Sequence, residues 1–256
     1  MIKNQTVLAH CNLFGVFGAI PELLRVDDDA RRLVENRKIS IGFSIQNGPA
    51  ATLWFENGTA RLTEGCRGCT VKLYFPSCKK FNDLIDGVGM PIPVSGFHRL
   101  GFLLNEFTKL TDILTAYLRP KDGALDDPDF LKKSTKLMLR VIAGAVTQIG
   151  NVDEVGKFSA SNIVDGDIVL KIGDPSNGGT AVAVRAENHR LALLSEVPAL
   201  AFSEMQFENY ETARALFDGK INAVAAVGTG KVRIFGMISQ IDNVNRILDR
   251  VSIYLA

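Results

Sequence analysis

The chain has little of what catalytic and metal-binding sites are usually built from. Its 256 residues include three histidines and one tryptophan, and neither GxSxG nor HExxH occurs, the motifs of a hydrolase nucleophile and a zinc protease. The histidines His10, His98 and His189 lie in unrelated segments, so none has a local partner that would mark a base or a ligand. The sequence therefore predicts a protein that is not an enzyme and needs no cofactor or metal.

A strong charge and a long apolar run are also missing. The formal net charge is +1, so no whole-molecule field favours nucleic acid, and no nucleic-acid partner is expected. The longest apolar stretch near the N-terminus, residues 7–20, contains His10 and Asn12 and follows a single charge, Lys3. It is too short to span a bilayer and makes a poor signal peptide. We interpret it as a buried segment and expect a cytoplasmic protein.

Cysteine is absent from the second half of the chain. Cys11, Cys66, Cys69 and Cys78 all lie in the first half, so cysteine is not part of a structural element that both halves share. Cys66 and Cys69 have the spacing of half a zinc knuckle, but no second close pair follows. Reduced, metal-free thiols are the plainer interpretation, and a metal or redox pair is the alternative.

Short sequence elements recur about one domain length apart. The pairs are Asn47-Gly48 with Asn177-Gly178, Glu56-Asn57 with Glu187-Asn188, Phe75 with Phe207, Asp86-Gly87 with Asp218-Gly219, Gly101 with Gly236, and Tyr117-Leu118 with Tyr254-Leu255. Their offsets rise slowly, from 130 to 137, as small insertions in a duplicated domain would cause. A period this long predicts two tandem domains. We assign residues 1–120 to the first repeat and residues 121–256 to the second, each near the common domain size.

Both halves predict the same order of strands. Residues 39–46 alternate strictly between apolar and polar side chains, which is typical of a half-buried strand. Asn47-Gly48 then predicts a tight turn. The segments that follow predict a three- or four-strand meander in each half. The predicted strands are 39–46, 51–55, 61–64 and 70–75 in the first repeat, and 167–172, 180–186, 190–194 and 200–207 in the second.

Helices surround each predicted meander. Short helical segments at 79–86 and 211–218 end at Gly87 and Gly219, as a helix C-cap does. A further strand is clearest at 231–235. A long final helix closes each repeat, with apolar residues recurring every three or four positions. They are Leu103, Phe107, Leu110, Leu114 and Tyr117 in the first repeat, and Ile238, Ile241, Val244, Leu248, Val251 and Leu255 in the second.

A helix also opens each repeat. After a turn-rich linker at 119–123, Asp127-Pro128 predicts the N-cap and first turn of a helix over 129–149. Its predicted apolar face consists of Met138, Val141, Ile142, Ala145, Val146 and Ile149. In the first repeat the acids 27–29 favour a helix N-terminus. The order of elements predicts an α+β fold.

The second repeat resembles the sterol carrier protein family, the small nonspecific lipid-transfer domain. The resemblance rests on ALFDGKIN at 215–222 and GKVRIFG at 230–236, which are similar to that family's Gly-Lys-x-Asn turn and Gly-Lys-x-x-x-x-Gly strand. The first repeat matches less closely, since Val88 and Met90 replace the Lys and Asn, and residues 97–99 take the place of the strand. The resemblance implies two sterol-carrier-like domains, each a mainly antiparallel sheet covered by helices.

Two functions fit this resemblance. In the first, the protein carries a fatty acyl or other apolar ligand in a cavity between the sheet and the last helix. Candidate cavity residues are Phe107, Leu110, Leu114, Ile241, Val244 and Leu248. In the second, the paired domains fill their interiors with their own side chains and act as a structural or interaction scaffold. No oligomeric state is predicted.

A basic stripe on the opening helix of the second repeat suggests one further partner. Lys132, Lys136 and Arg140 lie one turn apart, opposite the predicted apolar face. They would favour a transient contact with an anionic membrane surface. The alternative is that the stripe is the solvated face of an amphipathic helix.

Overall fold

The computed structural model describes residues 3–255. The chain divides into two compact units, one extending to Lys121 and one spanning Asp122–Tyr254. Each unit contains a five-stranded sheet. The strands are β1 Lys38–Ile45, β2 Ala50–Glu56, β3 Thr59–Glu64, β4 Val71–Phe75 and β5 Ile92–Ser95 in the first repeat, and β6 Gly166–Ile172, β7 Thr180–Glu187, β8 Arg190–Leu193, β9 Ser203–Phe207 and β10 Val232–Gly236 in the second.

The two sheets have the same strand order. It is β3-β2-β1-β4-β5 in the first repeat and β8-β7-β6-β9-β10 in the second. In both sheets the central strand pairs antiparallel with the next strand along the chain and parallel with the fourth. The remaining pairs are antiparallel. This shared order confirms the predicted duplication and the mainly antiparallel α+β fold.

Of the three- or four-strand meander that the sequence predicts, the structure contains the three-strand form, β1 to β3. The chain does not place β4 beside β3 but returns past β2 and pairs β4 with β1. None of the β3 residues is buried, whereas six of the eight β1 residues are. The polar β3 therefore suits the edge of the sheet, and the apolar β1 is covered on both of its edges.

Four helices occur in the same order in the described part of each repeat, and the second repeat contains one more. The first repeat contains an opening helix Gln5–Val26, a second helix Asp28–Val34, a short helix Cys78–Ile85, and a final helix in three consecutive segments, Leu100–Phe102, Leu103–Phe107 and Thr108–Leu118. The second repeat contains an opening helix Pro128–Val152, a second helix Glu154–Ser161, a short helix Tyr210–Phe217, an extra helix Ala223–Gly228 and a final helix Ile238–Leu255.

The opening helix of the first repeat is a core element. By length and composition Gln5–Val26 is the one candidate membrane span among the described residues, but 61% of its apolar window is buried within the protein. Leu13, Ile20 and Leu23 are fully buried. The interpretation of this stretch as a buried segment is therefore confirmed.

The opening helix of the second repeat begins as predicted but is not simply amphipathic. The Asp127 carboxylate accepts a hydrogen bond from the Asp129 amide, and Pro128 occupies the first turn. From Val141 to Thr147 every residue is buried, so this part of the helix is enclosed on all sides. Met138 is only half-buried. The predicted apolar face was therefore too narrow.

The fifth strand of the first repeat was predicted in the wrong place. Residues 97–99 form a 3₁₀ turn, and the strand is β5. Pro93 removes one amide from β5, which is tolerated because β5 is an edge strand. Gly96 ends the strand with φ 77°, and Gly236 ends β10 with φ 85°. Gly96, rather than Gly101, is therefore the equivalent of Gly236.

A tyrosine and an aspartate connect the last helix of each repeat to its second helix. The Tyr117 hydroxyl donates a 2.8 Å hydrogen bond to Asp27, which caps the helix Asp28–Val34. The Tyr254 hydroxyl donates a 2.7 Å bond to Asp153, which caps Glu154–Ser161. This shared bond fixes the equivalence of the final helices at an offset of 137 residues.

The Asp153 carboxylate is the more heavily bonded of the two. Burial opposes its ionisation, but hydrogen bonds from Arg250, Tyr254 and the Gly156 amide lower its pKa below the ordinary 3.8. Burial, followed by the bond to Asp153, raises the pKa of Tyr254 to about 12. The tyrosine therefore remains a hydrogen-bond donor, and the aspartate remains an acceptor, across the neutral range.

We expect Asp153→Asn to lower the free energy of unfolding by about 1–3 kcal/mol at pH 7, because charged hydrogen bonds to Arg250 are lost. Since the pKa of Asp153 is lowered by folding, the unfolded chain binds more protons in acid. The stabilisation is present above pH 3.8 and disappears as the pH falls through the lower folded-state pKa. Urea unfolding followed by circular dichroism checks this, with the exposed Asp249→Asn as control. A loss that does not change with pH would contradict it.

Candidate functional site

Strand register aligns the interiors of the two repeats residue by residue. Ile45 pairs with Phe75 across β1 and β4, and Ile172 pairs with Phe207 across β6 and β9. Counting back two residues makes Phe43 equivalent to Leu170. Pairing with the neighbouring strand extends the alignment, since Phe43 lies opposite Ala51 and Leu170 lies opposite Val182. Ala51 and Val182 are therefore equivalent, and counting four residues forward along β2 and β7 makes Phe55 equivalent to Ala186.

Phenylalanine rings fill the interior of the first repeat. The Phe43 ring lies 5.1 Å from that of Phe17 and 6.3 Å from that of Phe107, and the Phe55 ring lies 6.4 Å from that of Phe107. Such tilted and edge-to-face pairs are favourable ring geometries. All members of this aromatic cluster are buried. They are Phe17, Phe43, Phe55, Phe75, Phe81, Phe102 and Phe107.

The second repeat has smaller side chains at four of these positions. Leu170 stands in place of Phe43, and Ala186 in place of Phe55. The short helices align through Asp86-Gly87 and Asp218-Gly219, which places Ala213 at the position of Phe81. The final helices align through their tyrosines, which places Val244 at the position of Phe107. All four smaller residues are buried.

The predicted cavity residues of the first repeat lie on the inner side of its final helix. Phe107, Leu110 and Leu114 are buried, at 8%, 0% and 2% exposure. Phe107 belongs to the aromatic cluster and contacts the sheet through Phe43 and Phe55. Phe107 therefore lies beside aromatic rings of the sheet, and the cavity stays a prediction.

The predicted stripe of the second final helix was partly wrong. Ile241 and Val244 are buried, but Leu248 is half-exposed and Ile238 is 75% exposed. Ile247 occupies the buried position instead. The bond from Tyr254 to Asp153 sets the rotation of this helix, so that residues three and seven before Tyr254 face inward. The predicted stripe named Leu248 and not Ile247, because helical spacing from Val244 does not distinguish a residue three positions along from one four positions along.

A buried glutamine was missed entirely. Gln240 is fully buried, one helical turn before Val244. Its side-chain amide nitrogen donates a 2.8 Å bond to the carbonyl of Val164, just ahead of β6. The signal that could have revealed it is the polar residue beside Ile241, because the first repeat has two adjacent buried apolar residues, Phe102 and Leu103, near the start of its own final helix.

The cysteine pair lies on the opposite face of the first sheet. The sulfurs of Cys66 and Cys69 are 3.8 Å apart and lie over Gly42 of β1, where a side chain would collide with both. Burial, followed by the proximity of Cys69, raises the pKa of Cys66 to about 11. A protonated thiol is a poor nucleophile and a poor metal ligand. Among residues 3–255 no group of three or more His, Cys, Asp or Glu side chains could hold a metal.

The basic stripe of the second opening helix is engaged within its own repeat. The Lys132 ammonium lies 5.9 Å from the centre of the Tyr210 ring, and Arg140 donates to the carbonyl of Leu194. Lys132, Lys136 and Arg140 are all half-buried rather than exposed. The interpretation as a fully solvated face was therefore wrong, and the membrane contact stays a prediction.

The matches with known proteins come from solved structures. No protein-family model and no curated protein matches the chain. The chain is similar to sterol carrier protein domains. The sterol carrier protein domain 2 of Helicoverpa armigera is 14% identical, with a TM-score of 0.36, over 45% of this chain and 88% of its own. At such identities the matches describe the fold alone.

Two other matches have the same extent. A palmitated SCP2L2 from Aedes aegypti is 18% identical over 42% of this chain and 90% of its own, with a TM-score of 0.32. The apo form of sterol carrier protein 2 from Yarrowia lipolytica is also 18% identical, over 43% of this chain and 89% of its own, with a TM-score of 0.32. Each of these three matches covers less than half of this chain.

Proposed function

We propose that the protein is a noncatalytic lipid-binding protein whose second repeat holds an apolar ligand between its sheet and its final helix. The observation that carries this proposal is the loss of four phenylalanine rings from that interior. Leu170, Ala186, Ala213 and Val244 stand where the first repeat has rings, and an apolar chain could occupy the volume that those rings fill.

Burial of an alkyl chain supplies enough free energy for such binding. Each buried methylene contributes about 0.8 kcal/mol, so about ten methylenes contribute roughly 8 kcal/mol. That corresponds to a dissociation constant near the micromolar range. No charged contact is required, which agrees with the absence of a chemical motif from the sequence.

The first repeat supports the second candidate function, that of a scaffold. Its interior is occupied by the aromatic cluster, in which Phe107 bridges the final helix and the sheet. We therefore propose a division of roles, in which the first repeat is a structural domain and the second repeat binds the ligand.

The test measures binding to the full-length protein after lipid has been removed by extraction. The probe is diphenylhexatriene, an uncharged molecule that fluoresces in apolar surroundings. We expect saturable binding at micromolar probe concentrations with one site per chain. Two sites per chain would contradict the division of roles. A lack of saturable binding would overturn the lipid-binding proposal and leave the scaffold function.

A further inference from the structure

The bend between β3 and β4, which carries the cysteine pair, is anchored to the sheet at both ends. At its first residue, the Thr52 hydroxyl donates a 2.8 Å hydrogen bond to the carbonyl of Gly65. At its last residue, the Thr70 amide donates a 2.8 Å hydrogen bond to the Ser40 hydroxyl. These bonds hold the bend in one place, so the two sulfurs stay 3.8 Å apart without a covalent bond between them.

The strand beneath the pair lacks a side chain at the point of contact. A Cβ atom on Gly42 would overlap the sulfurs of both Cys66 and Cys69. Strand register places Val169 of β6 at the equivalent position of the second repeat, where it is buried. The second repeat also has no cysteine. The glycine and the two thiols therefore occur together in one repeat and are both missing from the other, which indicates that they form one unit.

The four cysteines differ in their access to solvent. Cys66 and Cys69 are half-buried, and the two residues between them are exposed. Cys11 and Cys78 are buried, at 0% and 7% exposure. A small reagent in solution therefore reaches the cysteine pair but not the other two thiols of the folded protein.

We propose that Cys66 and Cys69 are a redox-modification site, a dithiol that closes to a disulfide by exchange with a small-molecule disulfide such as glutathione disulfide. An S–S bond is about 2.0 Å long, so the two anchored sulfurs need to approach each other by less than about 2 Å. Disulfides that form in reducing compartments are usually catalytic or redox-sensing. The site lies in the first repeat and does not depend on lipid binding by the second.

The exchange proceeds in two balanced steps. The Cys69 sulfur loses its proton and attacks one sulfur of glutathione disulfide, and the other sulfur leaves with the bonding electrons and takes up a proton as glutathione. The Cys66 sulfur then loses its proton and attacks the Cys69 sulfur of the mixed disulfide, which releases the second glutathione in the same way. The dithiol is thereby oxidised by two electrons, and glutathione disulfide is reduced to two thiols.

The order of the two steps follows from the surroundings of Cys66. Burial, followed by the proximity of Cys69, raises the pKa of Cys66 to about 11. A protonated thiol attacks slowly, so Cys66 takes the second step. Formation of the mixed disulfide removes the Cys69 thiol, which is one of the two causes of the raised pKa, and so favours the attack by Cys66.

The test treats reduced full-length protein with glutathione disulfide at pH 8. The remaining thiols are then blocked with N-ethylmaleimide in urea, and the unfolded protein is digested with trypsin. Cleavage after Arg67 places the two cysteines of the pair in separate peptides, 62–67 and 68–72. We expect mass spectrometry to recover these peptides joined by a disulfide, with Cys11 and Cys78 alkylated. Dithiothreitol should restore all four thiols.

Cys66→Ser is the decisive variant, because it removes the thiol of the second step. It should retain one glutathione on Cys69 as a mixed disulfide. Cys78→Ala, which changes a buried cysteine outside the pair, is the matched control and should form the disulfide as the wild-type protein does. Thermal unfolding of both variants checks that the fold is retained.

Comparison with the urea-unfolded chain tests whether the fold favours the bond. In glutathione buffers of fixed composition, we expect the equilibrium constant for closure to be at least about tenfold larger in the folded protein, because the anchored bend holds the two sulfurs together. An equal or smaller constant would show that the sequence spacing alone pairs the cysteines, and the inference would be overturned. Recovery of four alkylated cysteines from the folded wild-type protein, or of a glutathione adduct that does not close, would overturn it as well.

Discussion

Phe43→Ala should lower the free energy of unfolding of the first repeat by about 3–5 kcal/mol, the usual loss for a buried ring. Phe43 is fully buried on β1, and its ring packs against those of Phe17, Phe81 and Phe107. Removal of the ring leaves a hole beneath the final helix, because several rigid neighbours must move to close it.

Trp54 makes this measurement specific to one repeat. It is the single tryptophan of the chain and lies on β2, where its ring nitrogen donates to the Thr63 hydroxyl. Its fluorescence during urea unfolding therefore follows the first repeat. Leu170→Ala, at the equivalent position of the second repeat, is the matched control and should leave the Trp54 transition unchanged. A loss below about 1 kcal/mol for Phe43→Ala would show that the aromatic cluster packs loosely.

Ala186→Phe together with Val244→Phe should weaken binding of diphenylhexatriene to the full-length protein by at least about tenfold. These changes restore two rings of the first repeat to the second. If the interior has room for a ligand, the rings take that room and the domain stays folded. If it is already filled, the added rings overpack it and destabilise the protein by about 1–3 kcal/mol each.

The reciprocal variant, Phe107→Val, is the control for that experiment. It opens space in the first repeat, lowers its stability and should leave probe binding by the second repeat unchanged. Wild-type affinity in the Ala186→Phe, Val244→Phe protein would place the ligand elsewhere. Loss of the folded circular dichroism signal would favour a filled second repeat and the scaffold function.

The sequence predicted those features of the fold that depend on neighbouring residues. Strict alternation located β1, Asp127-Pro128 located the start of a helix, and Gly87 and Gly219 located two helix ends at φ 76° and 68°. Each signal lies within a few residues of the feature it marks. The parallel pairing of β1 with β4 has no such signal, because it depends on which edge of the sheet is more apolar.

The candidate site was predictable in its elements but not in its details. The inner positions of Phe107, Leu110, Leu114, Ile241 and Val244 follow from helical spacing. The choice between Ile247 and Leu248 does not, since it depends on the bond from Tyr254 to Asp153, 101 residues away. The contrast between a ring-filled and a ring-poor interior needed strand register, which pairs Phe55 with Ile39 and Ala186 with Gly166.

In each repeat, the hydrogen bond between tyrosine and aspartate closes a long loop of the chain. It joins residues 90 apart in the first repeat and 101 apart in the second, from the N-cap of the second helix to the end of the final helix. Because each repeat contains both partners of this bond, a duplicated copy of the domain has every residue that the bond needs. The residues of each interior are free to diverge, because this bond holds the final helix against the second helix in both repeats.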